Sequence, residues 1–132
     1  MESSYTNELD LTIAICNYLR KSGYLFYCDI AAGLKLSTYQ AILVSKLRCG
    51  RGLPDIVVFN RDDRYVGYCF EVKKDKSKYL TKNGNYRSDK HIQEQIEVMN
   101  KLREQGWFCS FVTSVDEVKE ILNNNKVNNY EK

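Results

Sequence analysis

The length, composition and charge of the chain limit the classes of protein it can be. At 132 residues, with 43% apolar and 28% charged residues and a net charge of +3, it fits one globular domain. Five scattered cysteines without CxxC spacing and a single histidine argue against a zinc site or a Ser/His/Asp triad.

Membrane and secretory features are missing from the sequence pattern. No run of about 18 apolar residues could span a bilayer. The N-terminal stretch MESSYTNELDLTIAIC has no basic segment ahead of an apolar one, as a secretory signal would. We therefore expect a soluble, cytoplasmic protein with reduced cysteines.

Helices and strands are predicted from the spacing of apolar residues and from the turn residues between them. The expected elements are a helix over 5–21, a strand over 24–30, a helix over 38–49, strands over 55–60 and 65–72, a helix over 88–105, a strand over 107–113 and a helix over 115–122. The candidate helix caps are Ser4 or Thr6, Ser37 or Thr38, and Ser114. The domain is expected to cover 1–122, followed by a frayed Asn-rich tail over 123–132.

The chain's one proline marks the start of a strand. Pro54 cannot donate a hydrogen bond within a sheet, so the strand should begin at Asp55. The polar turn over 61–64 then predicts an antiparallel hairpin. The order α-β-α-β-β-α-β-α predicts an α/β domain in which helices flank a mixed central sheet.

Three charged residues belong to the two strands of this hairpin. Side chains alternate along a strand, so Glu71 and Lys73 share one face, which we expect to look outward while Phe70 and Val72 pack inward. Asp55 begins the neighbouring strand, about 4.8 Å away, so its carboxylate can converge with that of Glu71. The alternative is an exposed Glu-Lys pair beside an aspartate that caps a turn.

Two converging carboxylates would repel each other unless a cation neutralised them. Mg²⁺ takes one or two carboxylates with several waters, so Asp55, Glu71 and the main-chain carbonyl of Val72 could hold it. Lys73 could then orient a metal-acidified water or stabilise charge developing on phosphorus. This chemistry predicts hydrolysis of a phosphodiester.

The pattern of Pro54-Asp55 followed by Glu71-x-Lys73 resembles the PD-(D/E)XK nuclease superfamily. The glycines of GRGLPD, the helix residue Glu8 and the helix residue Gln95 are similar to the VRR-NUC branch, including its small stand-alone phage proteins. The resemblance runs from Glu8 to about Leu122 and implies a restriction-endonuclease-like core. It also implies that Glu8 and Gln95 assist the metal site, with Glu8 as a further metal ligand.

Both helix residues have alternatives in the sequence. Glu8 could instead be a first-turn acid that complements the helix dipole. Gln93 competes with Gln95 for the glutamine role. Gln95 is preferred because it shares a helical face with apolar residues that should point toward the sheet.

A basic segment follows the second strand of the hairpin. Residues 73–90 contain seven basic residues against two acidic ones. This composition suits a phosphate backbone, although a solvated loop would look the same. The predicted DNA-binding residues are Lys74, Lys76, Lys78, Lys82, Arg87, Tyr79, Tyr86 and Arg51.

Together these features predict an endonuclease that uses Mg²⁺, with Mn²⁺ as a substitute. The resemblance implies branched DNA such as a four-way junction as the substrate, in the host cytoplasm if the gene is carried by a phage. Symmetric cutting of a junction needs two active sites, so we expect a homodimer. A site-specific nuclease of the restriction or homing type has the same motif. A third alternative is a nucleic-acid-binding module that does not cut.

Overall fold

The computed structural model describes residue 5, residues 7–29, residue 31 and residues 34–130, with residues 124–130 as backbone. Its elements are α1 (Glu8–Lys21), β1 (Phe26–Cys28), α2 (Thr38–Lys46), β2 (Ile56–Val58), β3 (Tyr68–Val72), a 3-10 turn (Lys76–Lys78), α3 (Lys90–Glu104), β4 (Phe108–Val112) and α4 (Val115–Tyr130). Each predicted helix and strand is present, in the predicted order.

The helix starts follow from local hydrogen bonds. Ser37 accepts from the Gln40 amide while the Gln40 side chain accepts from the Ser37 amide, a complete capping box. Ser114 caps α4 by accepting from the Glu117 amide at 3.1 Å. Both predicted caps are confirmed. Asn7 caps α1 through the Asp10 amide, whereas the candidates Ser4 and Thr6 lie outside the described residues.

The four strands form one mixed sheet in the order β1-β2-β3-β4. The first three strands are antiparallel neighbours, and β4 runs parallel to β3 after the crossover through α3. The predicted α/β architecture and the predicted hairpin are therefore confirmed. Extending the β2–β3 register puts the start of β2 beside the end of β3, which brings Asp55 close to Glu71.

One face of the sheet is covered by α1 and α4. Leu11, Ile15 and Leu19 of α1 and Val118 and Leu122 of α4 are fully buried there. They pack against the even-numbered residues of β2 and β3, such as Ile56 and Phe70. This layer contains the larger of two apolar clusters, and it leaves the opposite face of the sheet to carry the charged residues.

That opposite face differs from the sequence prediction. Glu71 and Lys73 do not look outward, because α3 and the segment after β3 cover them, and their exposed fractions are 2% and 6%. Ile92 and Met99 of α3 pack there with Phe111, the register partner of Glu71. The alternation of strand side chains was correctly predicted, but the layer that buries this face was not.

The second helix packs differently from the others. None of the residues of α2 is buried, although Tyr39, Ile42 and Leu43 are apolar and lie at helical spacing. Just beyond its C-terminal end, Arg48 forms an ion pair with Asp29, which follows β1. This pair links the end of the helix to the sheet.

The last helix continues beyond the predicted end at residue 122. Its backbone is helical to Tyr130, and Val118 and Leu122 hold its first half on the core. The fraying of residues 123–132 stays a prediction. Within the described parts of the chain, no helix combines the length and the hydropathy needed to cross a membrane.

Candidate active site

Asp55 and Glu71 lie side by side at one end of the sheet. Asp55 precedes β2, Glu71 belongs to β3, and their side chains hydrogen-bond to each other. Asp55 also accepts a hydrogen bond from the Val72 amide, which donates to Oδ2 at 2.7 Å. The structure therefore brings together the two carboxylates predicted to converge.

The proximity and burial of the two groups change their acidity. Burial, followed by the negative charge of Asp55, raises the pKa of Glu71 well above its ordinary value. Burial also raises the pKa of Asp55, although hydrogen bonds from Glu71 and Val72 oppose this effect. Without a cation, the raised pKa of Glu71 favours its protonated form, which can donate to Asp55.

Two buried oxygens at this site are left without a donor. Among the described residues, Glu71 Oε2 and Gln95 Oε1 are buried side-chain atoms with no hydrogen-bond partner. A buried acceptor without a partner costs about 1–3 kcal/mol, so each of these atoms needs a partner such as a water or a bound cation. Both atoms are oxygens, the donor type that Mg²⁺ prefers.

The Val72 carbonyl is favoured as a further oxygen donor by the position of the proline. The Val72 amide points toward β2, whereas the next amide, that of Lys73, donates to Val112 of β4. Extending the β2–β3 register past Ile56 and Phe70 would place Pro54 opposite Val72. Because proline has no N–H, Pro54 cannot donate to the Val72 carbonyl.

Lys73 follows β3 directly and lies on the same face as Glu71. Its Nζ is 6.0 Å from the centre of the Phe111 ring, and its positive charge opposes the rise in the pKa of both Asp55 and Glu71. Burial beside an aromatic ring restricts this long side chain. The ammonium is thus held next to the carboxylate pair.

Gln95 reaches the site from α3, whose position depends on a glycine. Gln95 is 4% exposed and lines the same cleft as Asp55, whereas Gln93 is exposed and donates to the Arg87 carbonyl. Gly52 has φ +84°, and a Cβ there would lie 2.7 Å from the Glu94 carbonyl oxygen. The close approach of this loop to α3 therefore requires glycine and fixes where Gln95 enters the cleft.

Glu8 begins α1 at the edge of the same cleft. Burial raises the pKa of its carboxyl group above the ordinary value. The positive charge of Lys73 opposes this rise, and the negative charge of Asp55 adds to it. Glu8 is also in the first turn of α1, so the cleft position and the favourable helix-dipole position coincide.

The cleft around these residues has a volume of about 300 Å³, enough for a hydrated ion and a phosphate group. Its walls also contain Asp29, Arg48 and His91, which the sequence analysis did not assign to the site. Asp29 could have been found from the strand register, because its amide donates to the Asp55 carbonyl at 2.8 Å. Nothing in the local sequence marks Arg48 or His91.

The described residues fit a Mg²⁺ site with few protein ligands. No group of three or more His, Cys, Asp and Glu side chains is arranged to hold a metal within the described chain. Mg²⁺ does not need such a group, since it retains several waters. Asp55, Glu71 and the Val72 carbonyl would suffice, and Glu8 would then act at the edge of the cleft.

The basic segment is an ordered loop with mixed exposure. Asp75 caps the 3-10 turn Lys76–Lys78, and a bridge pairs Leu80 with Tyr86. The side chains of Lys74, Lys76, Lys78 and Lys82 are exposed. Arg87 instead pairs with Asp89, and Arg51 lies 3.9 Å from Glu94.

The two tyrosines of the segment lie in different environments. Tyr79 is only 8% exposed and stacks on Phe111, with ring centres 4.4 Å apart. Phe111 therefore covers the ring of Tyr79 in this conformation, and the predicted contact of Tyr79 with DNA stays a prediction. Tyr86 is about half exposed, so its ring remains accessible.

Comparison with known proteins identifies the fold. A solved structure described as a VRR_NUC domain protein superposes with a TM-score of 0.61 at 15% sequence identity, covering 89% of this chain and 85% of that one. The chain has the VRR_NUC fold. No family model and no curated protein sequence matches it. The VRR_NUC fold agrees with the architecture expected from Pro54-Asp55 and Glu71-x-Lys73.

Proposed function

We propose that this chain is a Mg²⁺-dependent DNA endonuclease that hydrolyses phosphodiester bonds. The observation that supports this most is the Asp55–Glu71 pair, in which a buried Glu71 oxygen has no partner, beside the buried Lys73. A fold shared with a VRR_NUC domain protein adds to the argument. Fold alone would not be sufficient, because one fold can serve several functions.

Asp55, Glu71 and the Val72 carbonyl would hold the cation. When bound, Mg²⁺ supplies Lewis acidity and lowers the pKa of a water molecule that can attack phosphorus. The Asp55 carboxylate is kept in place by the Val72 amide. Glu71 must give up the proton that it shares with Asp55 before both carboxylates can act as ligands.

Lys73 would act on the reaction rather than on DNA affinity. Its restricted ammonium lies beside the carboxylates, where it can donate to the attacking water or to an oxygen gaining charge. Gln95 would orient the same water from α3, and Glu8 would assist at the edge of the cleft. The exposed lysines after β3 would contact the DNA backbone.

Branched DNA is the substrate class that we propose. A chain of 132 residues has little surface for reading a long base sequence, which favours recognition of shape and backbone. Symmetric cutting of a four-way junction requires two active sites, so we propose a homodimer.

A cleavage assay on matched substrates tests this function. Purified protein is incubated with labelled duplex, flap, fork and four-way junction of the same sequence, with Mg²⁺, Mn²⁺ or Ca²⁺. We expect cutting in Mg²⁺ and Mn²⁺, strongest on the junction. A gel shift without fragments in either cation would favour a non-cleaving binding module, and cutting of plain duplex at one sequence would favour a site-specific nuclease.

A further inference from the structure

The wall of the cleft beside β1 contains an arginine for which the proposed reaction has no role. Arg48 lines the cleft together with Asp55, Glu71 and Lys73, and its side chain is one-third exposed. It donates from Nη2 to Oδ2 of Asp29. That bond uses one of the five N–H donors of a guanidinium, so others remain for a ligand in the cleft.

The position of Asp29 is itself fixed by the backbone. Its Oδ1 accepts from the Ala31 amide at 2.9 Å, and its own amide donates to the Asp55 carbonyl at 2.8 Å. One residue is therefore connected both to the strand that supplies Asp55 and to the guanidinium of Arg48. This arrangement places the Arg48 guanidinium at a defined distance from the Asp55–Glu71 carboxylate pair.

The order of strands locates Arg48 relative to the cleaved phosphate. Asp29 follows β1, Asp55 precedes β2 and Glu71 is in β3, so Arg48 lies on the side of the pair away from the basic segment. Strands are about 4.8 Å apart, which puts Asp29 roughly 10 Å from Glu71. Residues 31–54 also contain four basic residues and no acidic one.

We propose that Arg48 binds a backbone phosphate next to the one that is cleaved, and that Asp29 is a positioning residue for its guanidinium. Arginine recognises phosphate through paired N–H donors, and an aspartate on one edge leaves the other edge to the ligand. The proposal rests on the proposed function. It also specifies that the DNA strand continues past the cleaved phosphate along the β1 side of the cleft.

The test uses substrates in which one phosphate at a time is made neutral. A series of junctions carries a single methylphosphonate at successive positions on both sides of the cleaved bond. At one neighbouring position we expect the neutral linkage to slow the wild type by about 10-fold in kcat/KM, the size of one charge-assisted hydrogen bond. Arg48→Ala should be slower on the normal substrate and show no further loss at that position.

Arg64→Ala is the matched control. Arg64 is an exposed arginine in the turn between β2 and β3, at the other end of the sheet. This variant should reproduce the wild-type profile. Asp29→Asn should raise KM more than it lowers kcat, because a loosened guanidinium weakens binding of the flanking phosphate.

Two results would overturn the inference. If Arg48 only anchors the end of α2, Arg48→Ala and Asp29→Asn will lower the melting temperature and slow all substrates equally, with every methylphosphonate effect retained. If the wild type cuts no substrate, the proposed function fails. Dissociation constants for the same methylphosphonate series, measured in Ca²⁺, then still show whether Arg48 contacts a phosphate. Equal losses in wild type and Arg48→Ala at every position would then contradict the assignment.

Discussion

Glu71 is a buried carboxyl group that lies beside a second carboxylate. At 2% exposure, with Asp55 beside it, its ionised form is unfavourable in the metal-free protein. A divalent cation would reverse this preference by neutralising both carboxylates. The residue would therefore link proton binding, metal binding and stability.

The raised pKa of Glu71 predicts how the stability of the metal-free protein depends on pH. Its stabilising contribution is fully present below the ordinary value of 4.5 and is lost as pH rises through the raised folded-state pKa. With EDTA present, we expect the melting temperature to fall as pH rises above 4.5 and through the raised pKa of Glu71. Glu71→Gln should flatten this fall, and Mg²⁺ should stabilise the wild type most at high pH. A wild-type profile identical to that of Glu71→Gln would contradict the account.

Lys73 is predicted to affect turnover far more than affinity. Lys73→Ala should lower kcat by about 100-fold or more while leaving DNA binding in Ca²⁺ nearly unchanged. Lys73→Arg should not restore activity, because the larger planar guanidinium does not fit a buried position beside Phe111. Single-turnover rates and dissociation constants separate the two effects. Normal cleavage with weak binding would make Lys73 a phosphate contact.

Asp29, Arg48 and His91 line the cleft without having been predicted. The sequence was sufficient to predict that Asp55, Glu71 and Lys73 meet, because strand alternation and the Pro54 start determine the register. It was not sufficient to predict their environment. Glu71 and Lys73 are buried on the face of the sheet against which α3 packs, and α3 is separated from β3 by the whole basic segment. Tyr79 is similarly covered by Phe111 of β4. Packing between elements that are far apart in the chain leaves no recognisable pattern in the local sequence.

At the scale of elements, the fit between α3 and the loop before β2 controls the site. The loop and the helix approach each other at Gly52 and Glu94, one residue from Gln95. Of the two glycines of GRGLPD that support the family resemblance, Gly52 therefore has a steric reason. This contact connects the backbone conformation of the loop to the position of a proposed catalytic side chain.

Gly52→Ala is predicted to damage both stability and activity. The added methyl group meets the Glu94 backbone, and alanine disfavours φ +84°, so we expect a loss of about 1–3 kcal/mol. The rate should fall as α3 shifts. Gly50→Ala is the control, because nothing lies within 4 Å of its Cβ and its φ is ordinary. Urea unfolding and cleavage rates measure both; equal behaviour of the two variants would refute the contact.

The exposed lysines of the basic segment are predicted to bind the DNA backbone. Replacing Lys76, Lys78 and Lys82 with glutamine should weaken binding to all sequences alike. It should also reduce the salt dependence by up to about 0.9 log units for each lost phosphate contact. The fold should survive, because all three side chains are exposed. Dissociation constants across a salt series give the slopes.

A second triple variant controls for the loss of charge alone. Lys21, Lys101 and Lys119 lie in α1, α3 and α4, and none of them lines the cleft. Replacing these with glutamine removes the same charge but should leave the slope close to that of the wild type. Equal slopes for the two triple variants would indicate that residues 74–90 are a solvated loop that does not bind the DNA backbone.

At the scale of the whole molecule, the fold builds a cleft at one end of a sheet between two helical layers. β1, β2 and β3 place Asp29, Asp55 and Glu71 along that end, α3 adds Gln95, and α1 adds Glu8. The basic segment continues from the side of β3, and Arg48 lies on the side of β1. A DNA strand crossing the cleft would therefore pass basic side chains on both sides of the carboxylate pair.

In the proposed function, the Asp55–Glu71 carboxylate pair makes this cleft a metal-dependent nuclease. The most direct measurement is single-turnover cleavage of a labelled four-way junction, preassembled with protein in EDTA and started with excess Mg²⁺. We compare wild type, Asp55→Asn and Glu71→Gln, which preserve side-chain volume at buried positions better than alanine does. The account predicts rapid strand cleavage by the wild type, none by either folded variant, and retained DNA binding by all three. Cleavage by the variants at the wild-type rate, or an intact junction with wild type in both Mg²⁺ and Mn²⁺, would contradict it.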